Sequence, residues 1–150
     1  MAVDMNGEER INASIDKVWT ALNDADVLKA CIPGCESLEK KSDTELAATV
    51  TLKIGPIKAR FNGEVELKNL KPPHSYTIAG EGKGGIAGFA KGGADVTLKE
   101  EGPDVTTLIY VAKADVGGKI AQLGSRLIQS TSKKLATQFF SEFNKKVSGS

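Results

Sequence analysis

The chain has 150 residues, enough for one domain with a real core, and its 20 basic residues nearly cancel its 19 acidic ones. That balance removes the general electrostatic case for nucleic acid or an anionic membrane as partner. No stretch approaches the ~20 apolar residues of a membrane span, and Met1 to Arg10 lacks the apolar centre of a signal peptide, so the chain reads as soluble and intracellular.

Residues 3–11 alternate loosely, with Val3, Met5, Gly7 and Ile11 on one side of a first strand. Glu9 shares that inner side. A buried carboxylate is costly unless paired, so Glu9 either meets a ligand head group or sits at a bulge or strand end in water. Ser14 is a good N-cap for a short helix over 15–22, with Val18, Trp19 and Leu22 as its apolar face. A second short helix buries Val27, Leu28 and Cys31 and ends at Pro33-Gly34. Cys31 and Cys35 form one local pair, not a disulfide framework, and point to a reducing compartment.

The period then changes to two. Residues 36–41 carry only Leu38 as a strong apolar residue and predict a weak edge strand. Leu46, Ala48, Val50, Leu52 and Ile54 define the dry face of the next strand, and Ala59, Phe61, Gly63, Val65 and Leu67 that of the one after. Tyr76, Ile78, Gly80 and Gly82 line a further inner face, followed by Ala94, Val96 and Leu98. The last strand turns Leu108, Tyr110, Ala112, Ala114 and Val116 inward. Residues 80–93 are glycine-rich but lack the Gly-Lys-Ser/Thr ending of a phosphate loop, and a strand follows instead of a helix. This run reads as a bent strand pair or a rim to a cavity, with Phe89 as plug or core residue.

After Gly117-Gly118, apolar residues recur at Ile120, Leu123, Leu127, Leu135, Phe139, Phe143 and Val147. These steps of three and four predict one helix over Lys119–Val147, roughly 40 Å long. Gly124 and Thr131 interrupt the apolar stripe, which leaves either a cavity against Leu52, Phe61, Ile78 and Tyr110 or a core filled by close contact. Ser148-Gly149-Ser150 reads as a linker or tail after a domain of residues 1–147. With two cysteines and one histidine, His74 in a turn, the chain is too poor in ligands for a zinc site or a held catalytic imidazole.

A strand, two short helices, a run of strands and a long helix is the order of the helix-grip, or START-like, α+β fold: a curved antiparallel sheet wrapped around a C-terminal helix. Within that START-like (SRPBCC) superfamily the chain resembles the CoxG family, which accompanies carbon monoxide dehydrogenase. The resemblance lies in Ala21-Leu-Asn-Asp24, Val27-Leu-Lys-Ala-Cys-Ile-Pro-Gly-Cys-Glu36, Pro72-Pro-His-Ser-Tyr-Thr-Ile-Ala-Gly-Glu-Gly82, Gly88-Phe-Ala-Lys-Gly-Gly-Ala-Asp-Val-Thr-Leu98 and Gly117-Gly-Lys-Ile-Ala-Gln-Leu-Gly-Ser-Arg126. It covers nearly the whole chain and brings no catalytic or ligand residues with it. It implies an accessory protein of molybdenum-containing aerobic carbon monoxide dehydrogenase, cytoplasmic and peripheral at the inner face of the cell membrane. Many members carry a further C-terminal tail toward that membrane, and this chain stops before one.

Three functions follow as expectations. The first is a non-enzymatic carrier that holds an elongated apolar ligand between sheet and helix and links the dehydrogenase to membrane electron transport. The family setting favours a respiratory quinone such as menaquinone, with no tightly bound cofactor and the redox chemistry left to the partner. Glu9, Leu52, Phe61, Tyr76, Ile78, Phe89, Tyr110, Leu123, Gly124, Leu127 and Thr131 are the expected ligand-binding residues. The second is a membrane-recruitment or assembly factor for the dehydrogenase subunits, with a filled core and no ligand; Lys145-Lys146 is the pair nearest a membrane surface in that reading. The third is a cyclase- or hydrolase-like enzyme, against which the scarcity of histidine and of an acid/base pair weighs.

Overall fold

A computed structural model describes residues 1–148. The elements are β1 (Ala2–Ile11), α1 (Ile15–Leu22), α2 (Ala25–Cys31), β2 (Cys35–Lys40), β3 (Glu45–Ile54), β4 (Ile57–Lys71), β5 (Ser75–Lys83), β6 (Phe89–Gly102), β7 (Val105–Gly117) and α3 (Ser125–Val147). All seven strands join one antiparallel sheet in the order β1-β7-β6-β5-β4-β3-β2. Strands β2 to β7 follow one another through short connections, so each pairs with its neighbour in sequence. Helices α1 and α2 carry the chain from one edge strand, β1, to the other, β2. The sheet and its grip on α3 are the architecture the sequence predicts.

Local chemistry starts the short helices. The Ser14 hydroxyl accepts the Lys17 N–H at 3.2 Å, and the Asp24 carboxylate accepts that of Asp26 at 2.9 Å. Gly34 follows α2 with φ +74°, and a Cβ there would lie 2.1 Å from the Thr51 carbonyl oxygen, so only glycine fits against β3.

The long helix begins later than its apolar period predicts. Lys119–Leu123 is a separate 3-10 turn, and Gly124, at φ 98°, stands between it and α3. An L-residue rarely takes that conformation, so the glycine ends one segment and starts another. Periodicity alone misses this break because Ile120 and Leu123 still reach the core from the turn. The helix proper has 23 residues, roughly 35 Å.

Two apolar clusters hold α3. The lower one gathers Ile11, Val18, Leu22, Cys31, Leu98 and Leu108 around Phe143 and Val147. The upper one gathers Val3, Ile54, Phe61, Ala87, Val116 and Ile120 around Ile128. Among the described residues, none of α3 between Ile128 and Phe143 is fully buried. Thr106, a buried polar residue the period-two pattern does not single out, donates its hydroxyl hydrogen to the Ala13 carbonyl at 2.9 Å and ties β7 to the start of α1. Ser148 does not trail away as a linker: its N–H donates to the Asn144 carbonyl at 2.8 Å, and its hydroxyl accepts the Asn12 N–H at 3.1 Å. The rest of that tail reading, Gly149 and Ser150, lies outside the described residues.

Candidate functional site

Between the two clusters the sheet turns small residues toward α3. Met5 and Gly7 of β1 pair with Ala112 and Tyr110 of β7, and Ala112 in turn pairs with Ala94 of β6. Opposite them, α3 presents a row at four-residue spacing: Ser132, Ala136, Phe140 and Asn144. Where Ser132 faces the alanines and glycines, the side chains are too short to fill the gap. An apolar cleft of about 230 Å³ remains, lined by Met5, Ile78, Gly80, Ala112, Ala114 and Ser132 among others.

The same helix row continues into a second, wider groove of about 630 Å³, bordered by Glu9, Asn12, Tyr110, Ala136, Phe140 and Asn144. Tyr110 and Phe140 both line this groove. Their rings stack at 5.2 Å with an interplanar angle of 21°. The other side of the Tyr110 ring covers Gly7, where a Cβ would lie 2.8 Å from the phenol oxygen. Gly7 therefore lets the ring lie flat on β1, and any larger residue would push it into the groove.

Glu9 is half-buried and points to the inner side, without a bulge. Its carboxylate accepts a hydrogen bond from the Asn144 side-chain amide at 3.0 Å, and that amide also donates to the Arg10 carbonyl at 3.0 Å. The Asn144 side-chain carbonyl oxygen accepts the Ser148 hydroxyl hydrogen. One carboxylate thus sits at the end of a short polar chain, held in place and still facing the groove.

The other expected residues divide between several places. Ile78 lines the apolar cleft. Leu52, Phe61 and Leu123 belong to the upper cluster, with Phe61 only 8 % exposed. Leu127 is half-buried beside the β3–β4 turn, its Cδ2 only 2.9 Å from where a Gly55 Cβ would stand. Thr131 is half-buried on α3, one residue before Ser132. Gly124 has nothing within 4 Å of an added Cβ, so its missing side chain borders open space. Tyr76 lies in the lower cluster, edge-on to Trp19 at 5.3 Å, and burial pushes its phenol above the ordinary range.

Phe89 is neither plug nor core. It is 40 % exposed on the outer face, its ring filling the space beside Gly117. Ala90 and not Phe89 begins the inner row of β6, in step with Ala94, Val96 and Leu98. Phe140 and Asn144 are the residues the sequence reading missed. Their signal was a second row at i+4, running beside the more apolar stripe that ends in Phe143 and Val147.

The titratable chemistry is sparse. Among the described residues no three His, Cys, Asp or Glu side chains stand where they would hold a metal ion. Cys31 is buried and Cys35 half-buried, both as free thiols, and burial pushes both pKa values up. Such thiols are poor nucleophiles. His74 is exposed in its turn. The arrangement suits an amphiphile: an apolar slot, an aromatic pair, and a carboxylate with amide and hydroxyl neighbours in a line along one helix.

A family model for CoxG, the G subunit of carbon monoxide dehydrogenase, matches residues 7–148. A conserved protein from Geobacillus kaustophilus superposes with a TM-score of 0.90 at 30% identity, covering 96% of this chain and 94% of its own. A START superfamily protein from Mycobacterium smegmatis is similar with a TM-score of 0.74 at 13% identity, covering 96% of each chain. An aromatase/cyclase from a Streptomyces species is similar with a TM-score of 0.70 at 11% identity, covering 98% of this chain and 94% of its own. The last two show a shared fold only. No curated protein matches the sequence significantly.

Proposed function

Because the chain belongs to the CoxG family of carbon monoxide dehydrogenase, we propose that it is a non-enzymatic accessory of that enzyme that binds a respiratory quinone such as menaquinone and links the dehydrogenase to the electron-transport chain of the membrane. The observation that carries this reading is one helix row that borders both spaces, Ser132 the apolar cleft and Ala136, Phe140 and Asn144 the wider groove. The isoprenoid tail takes the cleft beside Ala112 and Ala114. The ring lies at the Tyr110–Phe140 stack, where an aromatic face finds a partner. The Tyr110 hydroxyl donates to a carbonyl of the oxidised form. The Glu9 carboxylate, an acceptor only when ionised, takes a hydroxyl hydrogen of the reduced form. Both redox states then find a partner without any group of the protein changing its own, and the electrons pass between the ligand and the dehydrogenase's cofactors.

The test is organic extraction of the purified protein followed by mass spectrometry, with titration of added menaquinone. Bound quinone, reduced at least tenfold by Ala112→Leu, is the expected result. Repeated absence of any quinone, with no uptake on addition, overturns the reading.

A recruitment or assembly role without a ligand keeps one observation in its favour. The apolar cleft, about 230 Å³, is smaller than the usual ~300–1,000 Å³ of small-molecule sites. If Ala112→Leu still restores dehydrogenase activity at the membrane of cells lacking the protein, docking alone is the function. Among the described residues no helix is long and apolar enough to cross a membrane.

A further inference from the structure

The chain's near-neutral total hides a segregation of charge and apolar surface. Three connections converge at the upper end of the sheet: the β3–β4 turn, the β5–β6 loop and the segment between β7 and α3. A Cβ on Gly84 would lie 2.5 Å from the Phe61 ring, one on Gly118 2.4 Å from the Gly88 Cα, and one on Gly55 2.9 Å from Leu127. The three loops therefore form one packed tip.

That tip exposes large apolar side chains. Ile86, in the 3-10 turn Gly85–Ala87, is 85% exposed, and Phe89 just after it is 40% exposed. Around the tip stand Lys53, Lys58, Lys83, Lys119 and Arg126, all exposed. Among the described residues, Lys53, Lys58, Lys119 and Arg126 enter no ion pair, while Lys83 has Glu81 at 3.8 Å. Lys53 and Lys58 are moreover directly opposite each other across the β3–β4 hairpin. Like charges in that position are destabilising unless something anionic lies over them.

We infer that this tip docks on a bilayer containing anionic lipid, with Ile86 and Phe89 entering the boundary between headgroups and acyl chains and the surrounding cations resting on the phosphates. A convex apolar point ringed by cations matches that interface, whereas a protein partner would need a pocket shaped to receive it. The inference deepens the quinone reading, on which it rests for its purpose: a carrier of a membrane-borne ligand gains from touching the membrane. Its physical basis is independent of the groove.

Flotation of the full chain with vesicles of phosphatidylcholine, with and without phosphatidylglycerol, tests it. Binding to the anionic vesicles alone, weakened by salt, is expected. Ile86→Ser with Phe89→Ser should reduce it at least tenfold, and Lys53→Glu with Lys58→Glu should reduce it severalfold and flatten the salt dependence. These side chains are exposed, and unchanged thermal unfolding confirms that the variants are folded. No binding by the parent chain, or equal binding by the Ile86/Phe89 variant, overturns the proposal. So does a tip variant that floats normally but no longer captures the dehydrogenase, which would make the tip a protein contact. Quinone uptake from detergent, measured on the same variants, should be unchanged. Its failure in the parent chain would sink the ligand reading and leave the vesicle result standing.

Discussion

The two ends of α3 and its middle have the same partner, the concave sheet, and meet it in opposite ways. At the lower end Phe143 is fully buried, stacked on Phe139 at 5.7 Å and enclosed by residues from the first and last strands and both short helices. At the upper end Ile128 sits among Ile54, Phe61, Val116 and Ile120. Between them, Ser132 faces alanine and glycine across a cleft, and Ala136 borders the wider groove. The contrast separates fastening from open space: the ends fasten the helix, which lets the middle remain loosely packed. A helix buried evenly along its length would have no room for a ligand.

The largest test of that division is Phe143→Ala. It should cost about 3–5 kcal/mol in denaturant unfolding, because a closed site cannot collapse around the void. A loss below ~1 kcal/mol would mean that the lower cluster is not the fastening its burial implies. Thr106→Val should follow, at about 1–3 kcal/mol, by leaving the Ala13 carbonyl without its buried donor. Ser132→Leu makes the opposite kind of change. It puts an apolar side chain into the cleft and gives up only a hydroxyl bonded back to the Ile128 carbonyl at 2.8 Å. Stability should shift by less than ~1 kcal/mol while quinone uptake falls about tenfold, equivalent to ~1.4 kcal/mol. Glu9→Gln keeps the shape of the polar groove and removes its charge. Affinity for the reduced quinone should drop a few-fold, that for the oxidised form less, as read by redox-poised titration.

A last test applies to the lower end alone. Burial raises the Tyr76 pKa in the folded chain above its ordinary value of 10.0. The protonated phenol's contribution is therefore fully present below about pH 10 and is lost as pH rises beyond it toward the folded value. Alkaline unfolding followed by far-ultraviolet circular dichroism should shift to higher pH in Tyr76→Phe. An unchanged midpoint would deny Tyr76 its buried place.

The sequence carried the sheet well because its strands alternate cleanly. Ala59 to Leu67 and Ala94 to Leu98 take the faces that a period of two assigns them. One error came from glycine: Gly124 divides what periodicity joined, and backbone handedness leaves no trace in a hydrophobic pattern. The other came from size: Phe89 was read as plug or core for its bulk, although the alternation of Ala94, Val96 and Leu98 turns it outward. The site was half legible. Glu9 stood out because a carboxylate occupied an apolar row, but its partner Asn144 lies 135 residues away in the chain, and no local pattern joins them. Phe140 was hidden beside the stronger stripe of Phe139 and Phe143. The charge distribution was least visible, since a sum near zero is the same whether the signs are mixed or sorted.

The β3–β4 hairpin sorts them along its length. Lys53 faces Lys58 next to the turn, and Glu45 faces Glu66 at the far end. The paired strands thus behave as a rod with unlike poles. Near a negatively charged surface such a rod feels a torque before it touches anything, turning the molecule turn-first. The orientation would be set during approach, and fewer collisions would be wasted on the wrong face.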